Sequence, residues 1–280
     1  MLNRKRNILL SGLLALCLSV AAQQPERKVV VDNGRFYYFT VDEETQLAHI
    51  HSADTKQRFA EADDLLIPTG RSTEDPQNPL CFSLRDNQLI MVNWILNSNN
   101  SRYDAIRKID LRNWRKSRPD WDIAAWAEAS FVQPVIAPNE PWEQMLRDNN
   151  VLTGTYFDLN AADSNRLIMT LCNNRQLRVC RWDGLKWFVA TPIPCPFDTC
   201  FSVIYNNGSI ALADAYGSVY RYDAKRNQLR KLRKSAATTV VLVEDHDSGK
   251  TYLIPAQNLN NTDTRSFESV MLESAQEITF

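Results

Sequence analysis

The chain has 280 residues, of which 44% are hydrophobic and 23% are charged, a composition typical of a globular protein rather than a disordered one. Its formal net charge is −1, and no basic block is long enough to grip a phosphate backbone, so a nucleic-acid partner is not expected. Eight glycines are few for a β-protein, and we expect Asn, Asp and Ser to serve in the tight turns instead.

The first 22 residues have the pattern of a cleavable export signal. A basic cluster at residues 4–6 precedes an apolar stretch at residues 8–22, and the compact Val20 and Ala22 suit a cleavage site. The stretch is shorter than the roughly 20 apolar residues of a membrane-spanning helix, which is the competing interpretation. Cleavage would remove three basic and no acidic residues, giving a formal net charge of −4. We expect a mature chain without a membrane span that lies outside the cytoplasm, in the periplasm, at the outer surface or secreted.

A His-x-His pattern follows the aromatic run at residues 35–40. Alternate residues of a strand face the same side, so His49 and His51 would present both imidazoles together, a spacing compatible with zinc or copper. The alternative is a half-exposed pair that packs across neighbouring strands. The chain has three histidines and no CxxC motif, so we expect no zinc site of the cysteine type and predict no cofactor.

A pair of strands recurs along the chain. The first strand starts with Asn and reads NQLIM, NRLIM and NGSIA at residues 87–91, 165–169 and 207–211. The second ends with Asp and reads IRKID, VCRWD and VYRYD at residues 106–110, 179–183 and 219–223. We place a degenerate copy before residue 58, with His51 in the position of the final Asp. A further copy comprises residues 240–243 and 250–254, with a last strand at 267–272.

The last two clear copies are 40 residues apart, a period typical of stacked β-units. Strands that are apolar on both faces, such as residues 167–171, must be covered on both sides. The layout resembles that of β-propellers of the kelch or WD type, although the chain lacks the Gly-Gly of kelch repeats and the signature of WD repeats. The resemblance implies an all-β propeller of five or six blades, formed by a single domain at residues 23–280. A pair of β-sandwiches is the alternative fold.

Residues 112–150 interrupt the repeats, and we predict a small helical insertion there. Aromatic faces beside carboxylates suit a sugar-binding cleft, and two carboxylates across a glycosidic bond suit its hydrolysis. In the alternative, the tryptophans pack the insertion on the β-core and the acids face solvent. The candidate ligand-binding residues of the insertion are Trp121, Trp126, Trp142, Glu128, Glu140 and Glu143.

Charged residues follow two further patterns. Each second strand carries Lys or Arg two residues before its Asp, which we interpret as a structural link at the strand end; a ring that binds a polar ligand is the alternative. The basic run at residues 225–234 is interpreted as a solvated edge strand, with contact to anionic lipid or polysaccharide as the alternative.

Five cysteines remain after cleavage. Cys195 and Cys200 are separated by four residues, and in an oxidising compartment we predict a disulfide that closes this short loop. Cys81 and Cys172 are interpreted as small buried apolar residues. Because the number of cysteines is odd, at least one thiol is expected to stay unpaired.

Three functions are compatible with these patterns, and none is marked by a catalytic motif. The favoured hypothesis is a non-catalytic binding or scaffold module of the cell envelope, whose partner is a glycan or a protein. One alternative is a secreted glycan-active enzyme that uses the carboxylates of the Trp-rich insertion. The other is a metal-binding protein that uses His49 and His51.

Overall fold

The computed structural model describes residues 28–41, 48–64, 82–96, 102–112, 156–162, 166–173, 175–183, 185, 187–197, 201–259 and 264–280. The predicted signal peptide at residues 1–22 lies outside these ranges, as does the predicted helical insertion beyond residue 112. Within the described ranges the protein is mostly β, as the sequence predicts. No helix there is long and apolar enough to cross a membrane.

The described elements are nineteen strands, two 3₁₀ helices at Phe59–Glu61 and Ala256–Leu259, and the α-helix α1 at Phe267–Ser274. In chain order the strands are β1 Lys28–Asp32, β2 Arg35–Val41, β3 Ala48–Asp54, β4 Asp63–Asp64, β5 Phe82–Arg85, β6 Gln88–Leu96, β7 Arg102–Asp110, β8 Tyr156–Ala161, β9 Leu167–Asn173, β10 Gln176–Trp182, β11 Trp187–Val189, β12 Ile193–Pro194, β13 Phe201–Asn206, β14 Ser209–Asp214, β15 Val219–Asp223, β16 Gln228–Arg233, β17 Val240–Asp245, β18 Lys250–Pro255 and β19 Gln276–Glu277.

These strands form five consecutive antiparallel meanders: β1–β4, β5–β7, β8–β11, β13–β16 and β17–β19. The first strand of a meander contacts the first strand of a neighbour, since β1 contacts β5, β5 contacts β8 and β8 contacts β13. β1 also pairs in parallel with β17, so the first and fifth meanders share one seven-stranded sheet. The described sheets therefore number four, rather than five or six separate blades.

Hydrophobic clusters hold neighbouring meanders together. Ile168 and Val179 of the third meander pack in one cluster with Val203 and Leu212 of the fourth. A second cluster joins the fourth and fifth meanders through Ile204, Ala211, Val240 and Leu242. A further hydrophobic cluster joins the first meander, the fifth meander and α1. Burial of these apolar faces, at roughly 25 cal/mol per Å², is the main force that stabilises the arrangement.

Three of the inner hairpins have two-residue turns whose residues both lie in the left-handed region. This geometry is that of type I′ turns, whose twist matches the twist of the flanking strands. Because Asn and Asp tolerate this region, they serve where the chain is short of glycine, as the sequence predicts. The turns are Asn33-Gly34 (φ 54° and 72°), Asp86-Asn87 (53° and 60°) and Asn207-Gly208 (48° and 80°).

The Asp at the end of each third strand makes a turn. Asp54, Asp110, Asp183 and Asp223 each accept the backbone N–H of the residue two positions later, at 2.9–3.0 Å. Asp54 lies opposite the first residue of β2, just as Asp110 lies opposite the first residue of β6. The sequence pattern placed His51 where the other copies of the motif have their final Asp. That assignment is three residues too early, because the turn needs a carboxylate acceptor and β3 continues to Asp54.

Residues 267–272 were predicted as a last strand, and they belong to α1 instead. Ser266 begins this helix, its Oγ accepting the N–H of Ser269 at 3.2 Å. The buried Phe267 and Val270 are three residues apart, so they share one helical face. Phe267 packs on Phe36 and Phe59 of the first meander, with ring centroids 4.9 and 5.5 Å away.

Carboxylates tie the inner turns of three meanders to one another. Asp247, in the β17–β18 turn, accepts the N–H groups of Asn33 and Gly34, both at 2.7 Å. Asp32, in turn, accepts those of Asp86 and Asn87 at 3.1 and 2.9 Å. Hydrogen bonds thus connect the turn of the fifth meander to that of the first, and the first meander to the turn of the second.

Candidate functional site

An open cleft lies between the third and fourth meanders. Its narrower part has a volume of about 340 Å³, and its lining includes three aromatic residues: the buried Trp182, the exposed Phe188 and the half-buried Tyr205. Its wider part has a volume of about 710 Å³ and a basic lining formed by Arg181, Arg221, Lys225, Arg226 and Arg230. The two parts share Arg181, Gly208 and Ile210, so they are continuous.

The repeated strand motif places two of these arginines. In β10 the side chains of Cys180 and Trp182 are buried, and the alternation of a strand turns Arg181 between them outward. In β15 the same alternation exposes Arg221 and buries Tyr222. The central arginine of the Val-x-Arg-aromatic-Asp motif therefore faces the cleft from both meanders.

The wider part of the cleft has an excess of positive charge. Asp223 is the one carboxylate among the described residues of its lining. That carboxylate accepts two backbone N–H groups of the following turn and lies 3.7 Å from Arg226. Four further cationic side chains surround it, so the lining attracts anions.

The basic run at residues 225–234 includes β16, which is the outermost strand of its sheet. The interpretation as an edge strand is thereby confirmed, and most of its side chains are exposed. The first part of the run also lines the cleft.

A separate cluster of charges is buried where the first strands of four meanders meet. Lys28 of β1 lies 3.6 Å from Glu244 of β17 and 3.8 Å from Asp158 of β8, and all three side chains are at most 5% exposed. Asn160 donates to both oxygens of Glu244, at 2.8 and 2.9 Å. Asp158 accepts the N–H of Val203 in β13 at 2.8 Å. The cluster fixes the inner strands relative to one another.

His246 extends this cluster to Asp32. Its ring nitrogens lie 3.4 Å from Glu244 and 3.8 Å from Asp32. Burial alone lowers the pKa of His246, but the interactions of its ring with the Asp32 and Glu244 carboxylates outweigh burial and raise it. Burial has the opposite effect on Glu244 and raises its pKa. The charge of Lys28, together with His246 and Asn160, outweighs burial and lowers the pKa of Glu244 from 4.5 to about 2.

The lowered pKa of Glu244 predicts sensitivity to acid. Its contribution to stability is present above the unfolded-state pKa of 4.5 and is lost as the pH falls towards 2. Between pH 6 and about 2, the free energy of unfolding of Glu244→Gln should fall by about 2–3 kcal/mol less than that of the wild type, as measured by urea denaturation. The control is Glu277→Gln, at an exposed ion pair with Lys250. Equal pH profiles for the wild type and Glu244→Gln would contradict the expectation.

The structure places few of the residues proposed from sequence. Trp121, Trp126, Trp142, Glu128, Glu140 and Glu143 all lie outside the described residues. His49 and His51 lie on β3, as predicted, and the His51 ring stacks on Tyr38 with centroids 4.8 Å apart. The side chain of His49 is not among those described. No group of three or more His, Cys, Asp or Glu that could hold a metal is found in the described ranges.

Cys195 is a thiol in the structure, as are Cys172 and Cys180. Cys200 lies outside the described residues, so the disulfide between Cys195 and Cys200 stays a prediction. Cys172 is buried, as its interpretation required.

Sequence reasoning did not single out the cleft as a site. Its arginines were seen in the repeated motif but were given a structural role beside their Asp partners. The signal that identifies them is the strand period, which exposes Arg181 between two buried neighbours and Arg221 between the half-buried Tyr220 and the buried Tyr222. The repeated motif does not predict which two meanders form the cleft, because that depends on tertiary packing.

No family model and no curated protein matches the chain. Among solved structures it is similar to a sucrose-6-phosphate hydrolase from Lactobacillus gasseri (TM-score 0.44, 11% identity, 88% of this chain and 58% of that one). It is also similar to an α-L-arabinofuranosidase from Clostridium thermocellum (TM-score 0.43, 13% identity, 85% of this chain and 83% of that one). A further similar structure is TolB from Acinetobacter baumannii (TM-score 0.42, 11% identity, 84% of this chain and 53% of that one). The chain spans little more than half the length of the hydrolase and of TolB. At such low similarity, no functional property passes from these proteins to this chain.

Proposed function

We propose that the protein is a non-catalytic, extracytoplasmic binding module that takes an acidic glycan in the cleft between its third and fourth meanders. The observation that carries this proposal is the continuity of an aromatic wall with a cationic one. Aromatic side chains offer flat apolar surfaces on which a sugar ring can lie, and a few placed polar groups fix its orientation. Arginine is suited to carboxylate and sulfate groups because its guanidinium donates in a fixed fork.

The proposed fold is a propeller of five blades, one for each meander. It is supported by the order of contacts, in which each meander meets the next, and by the parallel pairing of β1 with β17. Such closure leaves only short sheet edges. In this arrangement the cleft lies between two adjacent blades.

The described carboxylates favour binding over hydrolysis. Asp158 and Glu244 are buried beside Lys28, and the pKa of Glu244 is too low for a general acid near neutral pH. Asp183 and Asp223 accept N–H groups of turns. The glycan-active alternative uses the carboxylates predicted in the insertion, which are Glu128, Glu140 and Glu143. Turnover of a bound glycan that is lost in the corresponding Gln variants would favour that alternative.

The test is a binding screen of residues 23–280 against neutral, uronic-acid and sulfated oligosaccharides, read by tryptophan fluorescence. We expect saturable binding of the acidic members that weakens with salt, because the contacts are ionic. Arg181→Ala should weaken it by about 10-fold or more, the loss of one charge-assisted contact.

The matched control is Arg112→Ala, which removes an exposed arginine of the second meander that pairs with Asp110. Equal affinity of Arg181→Ala and Arg112→Ala would place the ligand elsewhere. Binding of neutral and acidic glycans alike would refute the role given to the basic lining.

A further inference from the structure

Two cysteines of the third meander come together although 22 residues separate them in the sequence. Cys172 lies on β9 opposite Leu177 of β10, and Leu177 lies opposite Ile193 of β12 on its other side. Cys195 directly follows β12, and its N–H donates to the carbonyl of Arg175 at 2.7 Å. Since Arg175 belongs to the turn between β9 and β10, this bond draws Cys195 to the end of the hairpin that carries Cys172.

Their side chains share one environment. Cys172 belongs to the hydrophobic cluster between the third and fourth meanders, and the half-buried Cys195 packs against the same cluster. The Cys195 thiol interacts with that of Cys172, and this interaction, together with burial, raises the pKa of Cys172, so its reactive thiolate is scarce in the folded protein.

We propose that Cys172 and Cys195 form a disulfide when the chain folds in the presence of a protein or small-molecule disulfide oxidant. In this exchange both S–H bonds break and one S–S bond forms, while two electrons and two protons pass to the oxidant, whose own S–S bond breaks to give two thiols. Because the Cys172 thiol is poorly ionised in the folded protein, the bond forms mainly during folding, while the cysteines are still accessible.

The crosslink has a structural consequence for the third meander. It would close a loop that contains β10, β11 and β12, and with them Trp182 and Phe188 of the cleft wall. A closed loop has less conformational freedom when unfolded, which favours the folded state in the chain-entropy account of disulfides.

Cys180 provides an internal control. It lies opposite Met169, so its side chain is on the other face of β10 from Leu177, the residue opposite Cys172. It is therefore expected to remain a thiol under the same conditions.

The test is a peptide map of the wild-type protein folded under oxidising conditions. The protein is unfolded without reductant in the presence of an alkylating agent, digested and analysed by mass spectrometry. We expect a peptide that joins Cys172 to Cys195 and is lighter by two hydrogens, with Cys180 alkylated. A peptide that joins Cys195 to Cys200, or alkylation of both Cys172 and Cys195, would overturn the proposal.

A second measurement uses variants. Reductant should lower the unfolding temperature of oxidised wild type and of Cys180→Ser, and should leave that of Cys172→Ser unchanged. If Cys172→Ser responds to reductant as the wild type does, another pair carries the bond. The peptide map of the wild type stands even if Cys172→Ser folds poorly.

Discussion

Lys28→Met is expected to lower the free energy of unfolding by about 3–5 kcal/mol, because it leaves buried carboxylates without their cation. Lys28 lies within 4 Å of both Asp158 and Glu244, and none of the three side chains is more than 5% exposed. Methionine has a similar length, so the loss of charge dominates over the loss of packing. Urea denaturation at neutral pH, with the native fold checked by circular dichroism, gives the measurement.

Two further variants serve as controls for this experiment. Lys250→Met removes the cation of an exposed pair with Glu277 and should cost less than about 1 kcal/mol. Adding Glu244→Gln to Lys28→Met removes one of the two stranded charges, so the double variant should be more stable than the sum of the single effects predicts. The role given to the buried cluster is wrong if Lys28→Met costs no more than Lys250→Met.

Phe267→Ala is expected to cost about 3–5 kcal/mol, the usual penalty for removing a buried ring. Phe267 is 1% exposed and meets both Phe36 and Phe59, so its loss opens a cavity between α1 and the first meander. The matched control on the same helix is Leu272→Ala, whose side chain is 84% exposed and should matter by no more than about 0.5 kcal/mol.

Both variants can be compared by thermal and urea denaturation. A similar loss of stability in the two would mean that the packing of Phe267 does not determine the result, since Ala favours a helix more than either residue it replaces. An unchanged stability in Phe267→Ala would mean that α1 does not cover the first meander in solution.

The strands were the most predictable part of the fold. The motif that ends in Asp predicted the ends of β7, β10 and β15, because period-two alternation and an Asx turn are local properties. Residues 240–243 and 250–254 were likewise predicted as the strands that became β17 and β18. The strand predicted at 267–272 was wrong, because a short apolar stretch has the same composition in a buried helix and a buried strand.

The candidate site was less predictable than the strands. The cleft requires Arg181 and Arg221 to line one cavity from two meanders, and the sequence predicts the strand of each but not the packing that brings the two strands together. The buried cluster is harder still, since Asn160 and Glu244 are 84 positions apart. The local sign of such a cluster is a lysine at the start of a buried strand, Lys28 before the apolar Val29–Val31.

The parallel pairing of β1 with β17 also bears on when the protein can fold. Asn33 and Asp247, which meet beside this pairing, are 214 positions apart. A loop of that length carries a large entropy of closure, and contacts so distant in the chain slow folding. The first strand cannot acquire its second neighbour until β17, about 210 residues later, is available for pairing. Until then the first meander is open at one edge, and β17–β19 complete its sheet.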